Sequence, residues 1–195
     1  MKLTFKEVEA VLAAYLQIDP ERVSKLRFRL QQLQRQPLNF PEGVNVGKGG
    51  RFAYGCDQVF QLVFMFEMLD LGYPPERAKQ LIGNWDMLRS GIFEAATDTG
   101  FASVYLVLHP LALNYLRQPQ TDLADLSATV FHIKKTLLVD WLGAESPTRS
   151  TALIDLSGMI DALSVAVRAM QPELNLRDVI SSWYAETFNG SDPQA

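Results

Sequence analysis

Residues 57–71 read Asp-Gln-Val-Phe-Gln-Leu-Val-Phe-Met-Phe-Glu-Met-Leu-Asp-Leu. Wound as a helix, this run is apolar on nearly every side, and such a helix has to be covered all round or half covered and half an interface. The rest of the chain must supply that cover. Gly72 stands where a left-handed C-cap is expected. Pro75 can open the next helix, with Ala78, Leu81, Ile82 and Trp85 on its apolar side. The Met and Phe side chains of the run are read as core, not as a ligand box.

Two helices are expected ahead of it. Thr4-Phe5-Lys6-Glu7 has the form of a capping box, with Leu3 and Val8 placed as a hydrophobic staple. Phe5, Val8, Leu12, Tyr15 and Leu16 follow helical spacing, ending near Gln17. Asp19-Pro20-Glu21 is a second helix start, with Asp19 as cap and Pro20 at the first position. This helix, 20–35, has two faces. Val23, Leu26, Leu30 and Leu33 share one arc, while Arg22, Lys25, Arg29, Gln32 and Gln36 share another that holds no acid. Arg and Gln can each bond purine edges in pairs in the major groove, and the same face can serve phosphates.

Charge distribution sharpens this. The net charge is −4, which alone speaks against a polyanionic partner. Between residues 21 and 51, however, seven cations face only Glu21 and Glu42, a local balance of +5; residues 61–195 carry −7. Gathering the positive charge in one early segment fits either a solvated helix face or a local anionic partner.

Pro37 ends the second helix. Residues 38–54 then read as strand, glycine-rich tip and returning strand, with Gly43, Gly47, Gly49 and Gly50 around Lys48, and Arg51-Phe52-Ala53-Tyr54 on the return. A basic tip between two strands describes a wing, whose natural target is a backbone phosphate or the minor groove. The phosphate-loop pattern Gly-x-x-x-x-Gly-Lys-Ser/Thr is absent, and no buried strand precedes the loop.

The order of these pieces resembles the DNA-binding domain of MerR-type transcriptional regulators over residues 19–82. Val23-Ser24 and Leu26-Arg27-Phe28 resemble that family's recognition helix. Gly50-Arg51-Phe52-Ala53-Tyr54 resembles the closing strand of its wing. Leu69-Asp70-Leu71-Gly72-Tyr73-Pro74-Pro75-Glu76 is similar to its Leu-x-x-Leu-Gly-Phe-x-x-Glu pattern. Two residues usual between Val-Ser and Leu-Arg are missing, and Arg29 and Leu30 replace an aromatic and an acid. Arg51 and Tyr54 stand one residue further apart than usual. The resemblance implies that Arg27 and Arg51 contact the DNA backbone, whereas the helical wheel points to Arg22, Lys25 and Arg29. The expected DNA-binding set is Arg22, Lys25, Arg27, Arg29, Gln32, Lys48, Arg51 and Tyr54.

The second half is of another kind. Residues 101–109, 128–133 and 151–156 read as strands. Ser157 is placed to cap a helix over 158–170, and Asn175 a last one over 176–187. The stripe Met159, Ile160, Leu163, Val167 and Met170 suits a core or a dimer face. The expected class is α+β: a winged helix-turn-helix domain at 1–88, an α/β or α+β dimerisation or effector domain at 100–188, and a frayed tail at 189–195. No stretch is apolar enough for a membrane span, and no charged start leads into an apolar run as in a signal peptide. One cysteine, Cys56, excludes an internal disulfide. Neither His109 nor His132 stands at metal-ligand spacing from it; both are read as ordinary histidines. Asp155 and Ser157 suggest an acid and a nucleophile, but no Gly-x-Ser-x-Gly elbow surrounds Ser157, so it is read as a cap.

The expected function is therefore a sequence-specific DNA-binding transcriptional regulator, not an enzyme. It is a homodimer reading a palindromic promoter site in double-stranded DNA through helix 20–35 and wing 38–54, with RNA polymerase as a further contact. No cofactor, metal or membrane is expected; the location is cytoplasmic, on the nucleoid when bound. The alternatives are a small α/β enzyme or ligand-binding protein, and an interaction adaptor of phage or mobile-element type that uses the fold without reading sequence.

Overall fold

The computed structural model describes residues 1–35, 53–98, 103–108, 130–144 and 151–189. Helix α1 (Phe5–Tyr15) begins at the capping box the sequence predicts: the Glu7 N–H donates to Thr4 Oγ1 (3.3 Å) and the Thr4 N–H to the Glu7 carboxylate (2.7 Å). Leu3 and Val8, the staple positions, are both buried. The helix closes through Gln17, which takes a left-handed φ of 51° while the Ile18 N–H reaches back to the Ala13 carbonyl (2.9 Å). Asp19 then starts the next element by accepting the Glu21 N–H (2.9 Å). Its first turn is a 3-10 turn, Pro20–Arg22, and the α-helix proper, α2, spans Val23–Arg35.

Before α1 and after the segment 36–52, Leu3 and Tyr54 form an antiparallel bridge, with N–H to carbonyl distances of 2.9 and 2.7 Å. This ties the start of the chain to the start of α3 (Cys56–Asp70). Every residue of α3 from Val59 to Phe66 is buried, as an all-round apolar helix requires. It ends in the expected glycine cap. Gly72 has φ 84°, the Tyr73 N–H reaches the Met68 carbonyl (2.9 Å) and the Gly72 N–H the Leu69 carbonyl (3.0 Å). Helix α4 (Pro75–Ile82) follows with Pro75 at its first position and Ala78, Leu81 and Ile82 buried.

Helix α5 (Trp85–Thr97) occupies the stretch in which a domain boundary is expected. Its Leu88, Ile92, Ala95 and Ala96 belong to the same buried cluster as Leu3, Phe60 and Ile180, so one core runs through both halves of the chain. The reason is that α3 needs cover on more sides than the first 88 residues provide. Trp183 supplies part of it, stacking on Phe60 at 6.1 Å between ring centroids.

The three expected strands are present: β1 (Val104–Leu108), β2 (Val130–Lys134) and β3 (Ala152–Asp155). β1 is central, in the order β2-β1-β3, and both pairings are antiparallel. The class is therefore α+β. Helix α6 (Lys135–Ala144) leaves β2 directly, without a turn. Helices α7 (Leu156–Arg168) and α8 (Leu176–Asn189) complete the chain; α5 and α7 pack on β1, and α1 packs on α7. Met159, Ile160, Leu163 and Val167 are buried, which resolves that stripe as core, while Met170 is exposed.

Ser157 is not the cap of α7. Asp155 is: its Oδ1 accepts the Gly158 N–H (3.0 Å). Ser157 lies inside the first turn and its Oγ accepts the Val104 N–H (3.0 Å), joining helix and sheet. Asn175 does stand before α8, its side-chain oxygen accepting the Arg177 N–H (3.2 Å). Among the described residues no helix is long and apolar enough to cross a membrane.

Candidate nucleic-acid interface

α2 is anchored along one side and open along the other. Leu26, Leu30 and Leu33 enter the core and Val23 is half-buried. Arg22, Ser24, Lys25, Phe28, Arg29, Gln31 and Gln32 are exposed. The helix contains neither Asp nor Glu. Among the described residues Arg22, Lys25 and Arg29 enter no ion pair. Free guanidinium and ammonium groups beside a side-chain amide can donate to phosphate oxygens and to the acceptor edges of purines. Ser24, Lys25, Phe28, Arg29 and Gln32 line a shallow hollow of about 470 Å³ on this face.

The remaining expected contacts divide. Arg27 is committed within the fold. Its Nε donates to Glu9 Oε2 (2.6 Å) and its Nη2 to Glu9 Oε1 (2.8 Å), so α2 is tied to α1 and the charge is matched locally. The Arg27 hydrogen bonds hold the Glu9 carboxyl below its ordinary value, and Glu9 in turn raises Arg27. Tyr54 is 1% exposed; burial pushes its hydroxyl up to about 12. It sits in the core beneath the Leu3 bridge, with no ring surface for DNA. Gln36, Lys48, Arg51 and all of the expected wing 38–54 but Ala53 and Tyr54 lie outside the described residues.

Two features escaped the sequence reading. Phe28, beside the cations, is 59% exposed. The helical wheel carries the signal, because Phe28 stands opposite the arc of Leu26, Leu30 and Leu33. The other is Asp57. Its Oδ1 accepts the indole N–H of Trp85 (2.6 Å) and Nη2 of Arg89 (3.2 Å), and its Oδ2 accepts the indole N–H of Trp183 (3.0 Å). Arg89 also lies 5.4 Å from the Trp183 ring centroid, a cation–π contact. No local spacing foretells a carboxylate bonded to an indole 126 residues away.

Other reactive groups are built into the packing. Cys56 is buried, and burial pushes its thiol up to about 12, so it stays protonated at neutral pH. His132 Nε2 lies 3.1 Å from the Glu94 carboxylate, and Lys134 bridges Glu94 and Asp98. His109 lies outside the described residues. Among the described residues no group of three or more His, Cys, Asp or Glu side chains is arranged to hold a metal ion. Comparison of the chain with protein-family models, curated proteins and solved structures finds no match.

Proposed function

We propose that this chain is a sequence-specific DNA-binding transcriptional regulator, with residues 1–88 forming a MerR-like winged helix-turn-helix. The observation that carries the reading is the open face of α2. Lys25, Arg29 and Gln32 project from α2, which has no acid and is fixed to the core by Leu26, Leu30 and Leu33, and Arg22 stands on the 3-10 turn just before it; among the described residues none of the three cations enters an ion pair. The Leu3–Tyr54 bridge supports the wing, because it returns the end of the segment 38–54 to the foot of α1. A dimer of such a chain reads two half-sites of a palindromic promoter, with the helix 20–35 in the major groove and the wing on the flanking backbone. The second half dimerises or receives a signal, and RNA polymerase is the further partner at the promoter. A bound population sits on the nucleoid.

A mobility-shift assay with fragmented genomic DNA of the source organism tests this. Retention of specific fragments over random competitor at moderate salt is expected. Equal affinity for all fragments, or no binding, overturns it.

A second reading is favoured by α6, where Leu137, Val139 and Leu142 are exposed. An interaction protein that uses this fold without reading sequence presents such side chains to a protein partner. It binds no duplex above random competitor in the same assay.

A further inference from the structure

Phe28 occupies the middle of the open face of α2. Ser24 lies one turn before it, Gln32 one turn after, and Lys25 and Arg29 stand beside it. All five line the same hollow. Phe28 is the one large apolar side chain exposed on α2 among the described residues. An exposed phenyl ring costs solvation in the free protein, yet its neighbours on the helix are all polar. A protein docking surface presents a wider, continuous apolar patch. One apolar group ringed by hydrogen-bond donors instead matches a target that is itself polar except at one point.

The major-groove edge of an A·T pair has that form. Adenine offers N7 and the N6 amino group, which a Gln side chain meets in a paired bond, and thymine offers O4 and the C5-methyl group, which an aromatic side chain meets by contact. Four residues along a helix advance about 6 Å, and neighbouring base pairs are about 3.4 Å apart along the axis. Phe28 and Gln32 therefore reach edges one or two steps apart.

We propose that Phe28 is a specificity-determining residue that reads the C5-methyl group of a thymine in the major groove, next to the pair met by Gln32. The inference rests on the DNA-binding reading and adds the chemistry that is read. Lys25 and Arg29 hold the helix on the phosphates or flanking purines. The ring supplies discrimination at one position.

The test uses the full chain and duplexes enriched by it from a randomised pool. In the enriched duplex each thymine is replaced in turn by deoxyuridine, which removes only the methyl group. Replacement at one position per half-site is expected to weaken binding about fourfold, the equivalent of one buried methyl. Phe28→Ala, a surface change that leaves the circular dichroism spectrum unaltered, is expected to bind the two duplexes equally. If every deoxyuridine duplex binds like the parent, the inference fails while DNA binding stands. It fails equally if Phe28→Ala keeps the fourfold difference, since another group then reads the methyl. If the pool yields no enrichment, the DNA-binding reading itself fails.

Discussion

Arg27 and Glu9 close a two-point ion pair between α2 and α1, and the carboxylate end is buried while the guanidinium is 54% exposed. This fixes the angle at which α2 leaves α1, and with it the direction in which Arg22, Lys25 and Arg29 project. The pair also sets Arg27 apart from Arg22 and Arg29, which enter no ion pair among the described residues.

A pH dependence follows from that pair. Glu9 has its folded-state value depressed below the ordinary 4.5 by Arg27. A depressed carboxyl contributes stability that is fully present above the unfolded value and lost as the pH falls through the folded one. Between about pH 5 and about pH 3 the urea midpoint of the native chain is expected to fall more steeply than that of Glu9→Gln. Parallel slopes would remove the assigned role of the pair.

Arg22→Ala and Arg29→Ala should behave unlike Arg27→Ala. As exposed groups that enter no ion pair among the described residues, they are expected to leave stability within about 0.5 kcal/mol of the parent. Each should weaken DNA binding. A contact to a base costs about 1–3 kcal/mol and relaxes specificity at one position, whereas a contact to a phosphate weakens all sequences and lowers the salt slope by about one. Arg27→Ala should instead lower the thermal midpoint, by leaving Glu9 buried without its partner. Titrations across a salt series, paired with thermal melts, separate the three variants.

Gly72 gives a clean measure of backbone strain. Its φ is 84°, and a Cβ there would meet nothing within 4 Å. Gly72→Ala therefore pays only the left-handed conformation, roughly 1–2 kcal/mol, and Gly72→Asn less, since Asn tolerates that region better. Urea denaturation should rank the three as Gly, Asn, Ala in falling stability. A neutral Gly72→Ala would mean that the α3 cap is not held in this conformation in solution.

Asp57 joins α3, α5 and α8 at one carboxylate. Asp57→Ala takes the carboxylate acceptor from two indole N–H groups and leaves the nearly buried Arg89 paired with Asp86 alone, so a loss of roughly 2–4 kcal/mol is expected. Trp85 and Trp183 both bond to this group, and tryptophan emission should shift in the folded variant. An unchanged denaturation midpoint would show that the network carries no weight in the fold.

Local chemistry made much of this molecule legible. The capping box at Thr4 and Glu7 and the Asp19 start rest on side chains that satisfy backbone groups within a few residues, the cap at Gly72 on glycine's access to a left-handed φ, and the helix opening at Pro75 on proline's fixed φ and missing N–H. The three strands were readable to within a few residues from their apolar runs. Helix α5 is not anticipated: Trp85 is expected on the apolar side of the helix opened by Pro75, but that helix ends at Ile82 and Trp85 begins the next, in which Leu88, Ile92 and Ala95 recur at helical spacing. Taken by itself, though, that pattern does not say whether the helix links two bodies or lies inside one. α6 gave little periodicity, because Leu137, Val139 and Leu142 face solvent.

What the sequence alone determined is the starts at Thr4, Asp19 and Pro75, the end at Gly72, the buried character of α3, and which residues of the helix 20–35 share an acid-free face. Those follow from propensity, capping and period, which act over one or two turns. The tertiary structure decided the rest: that Arg27 belongs to Glu9, that Tyr54 is core beneath the Leu3 bridge, that Ser157 joins a helix to β1 while Asp155 caps it, and that Trp183 covers Phe60. Each is a meeting of groups distant in sequence. Which partner a polar or aromatic side chain finds depends on how the elements pack around α3, and no local rule contains that information.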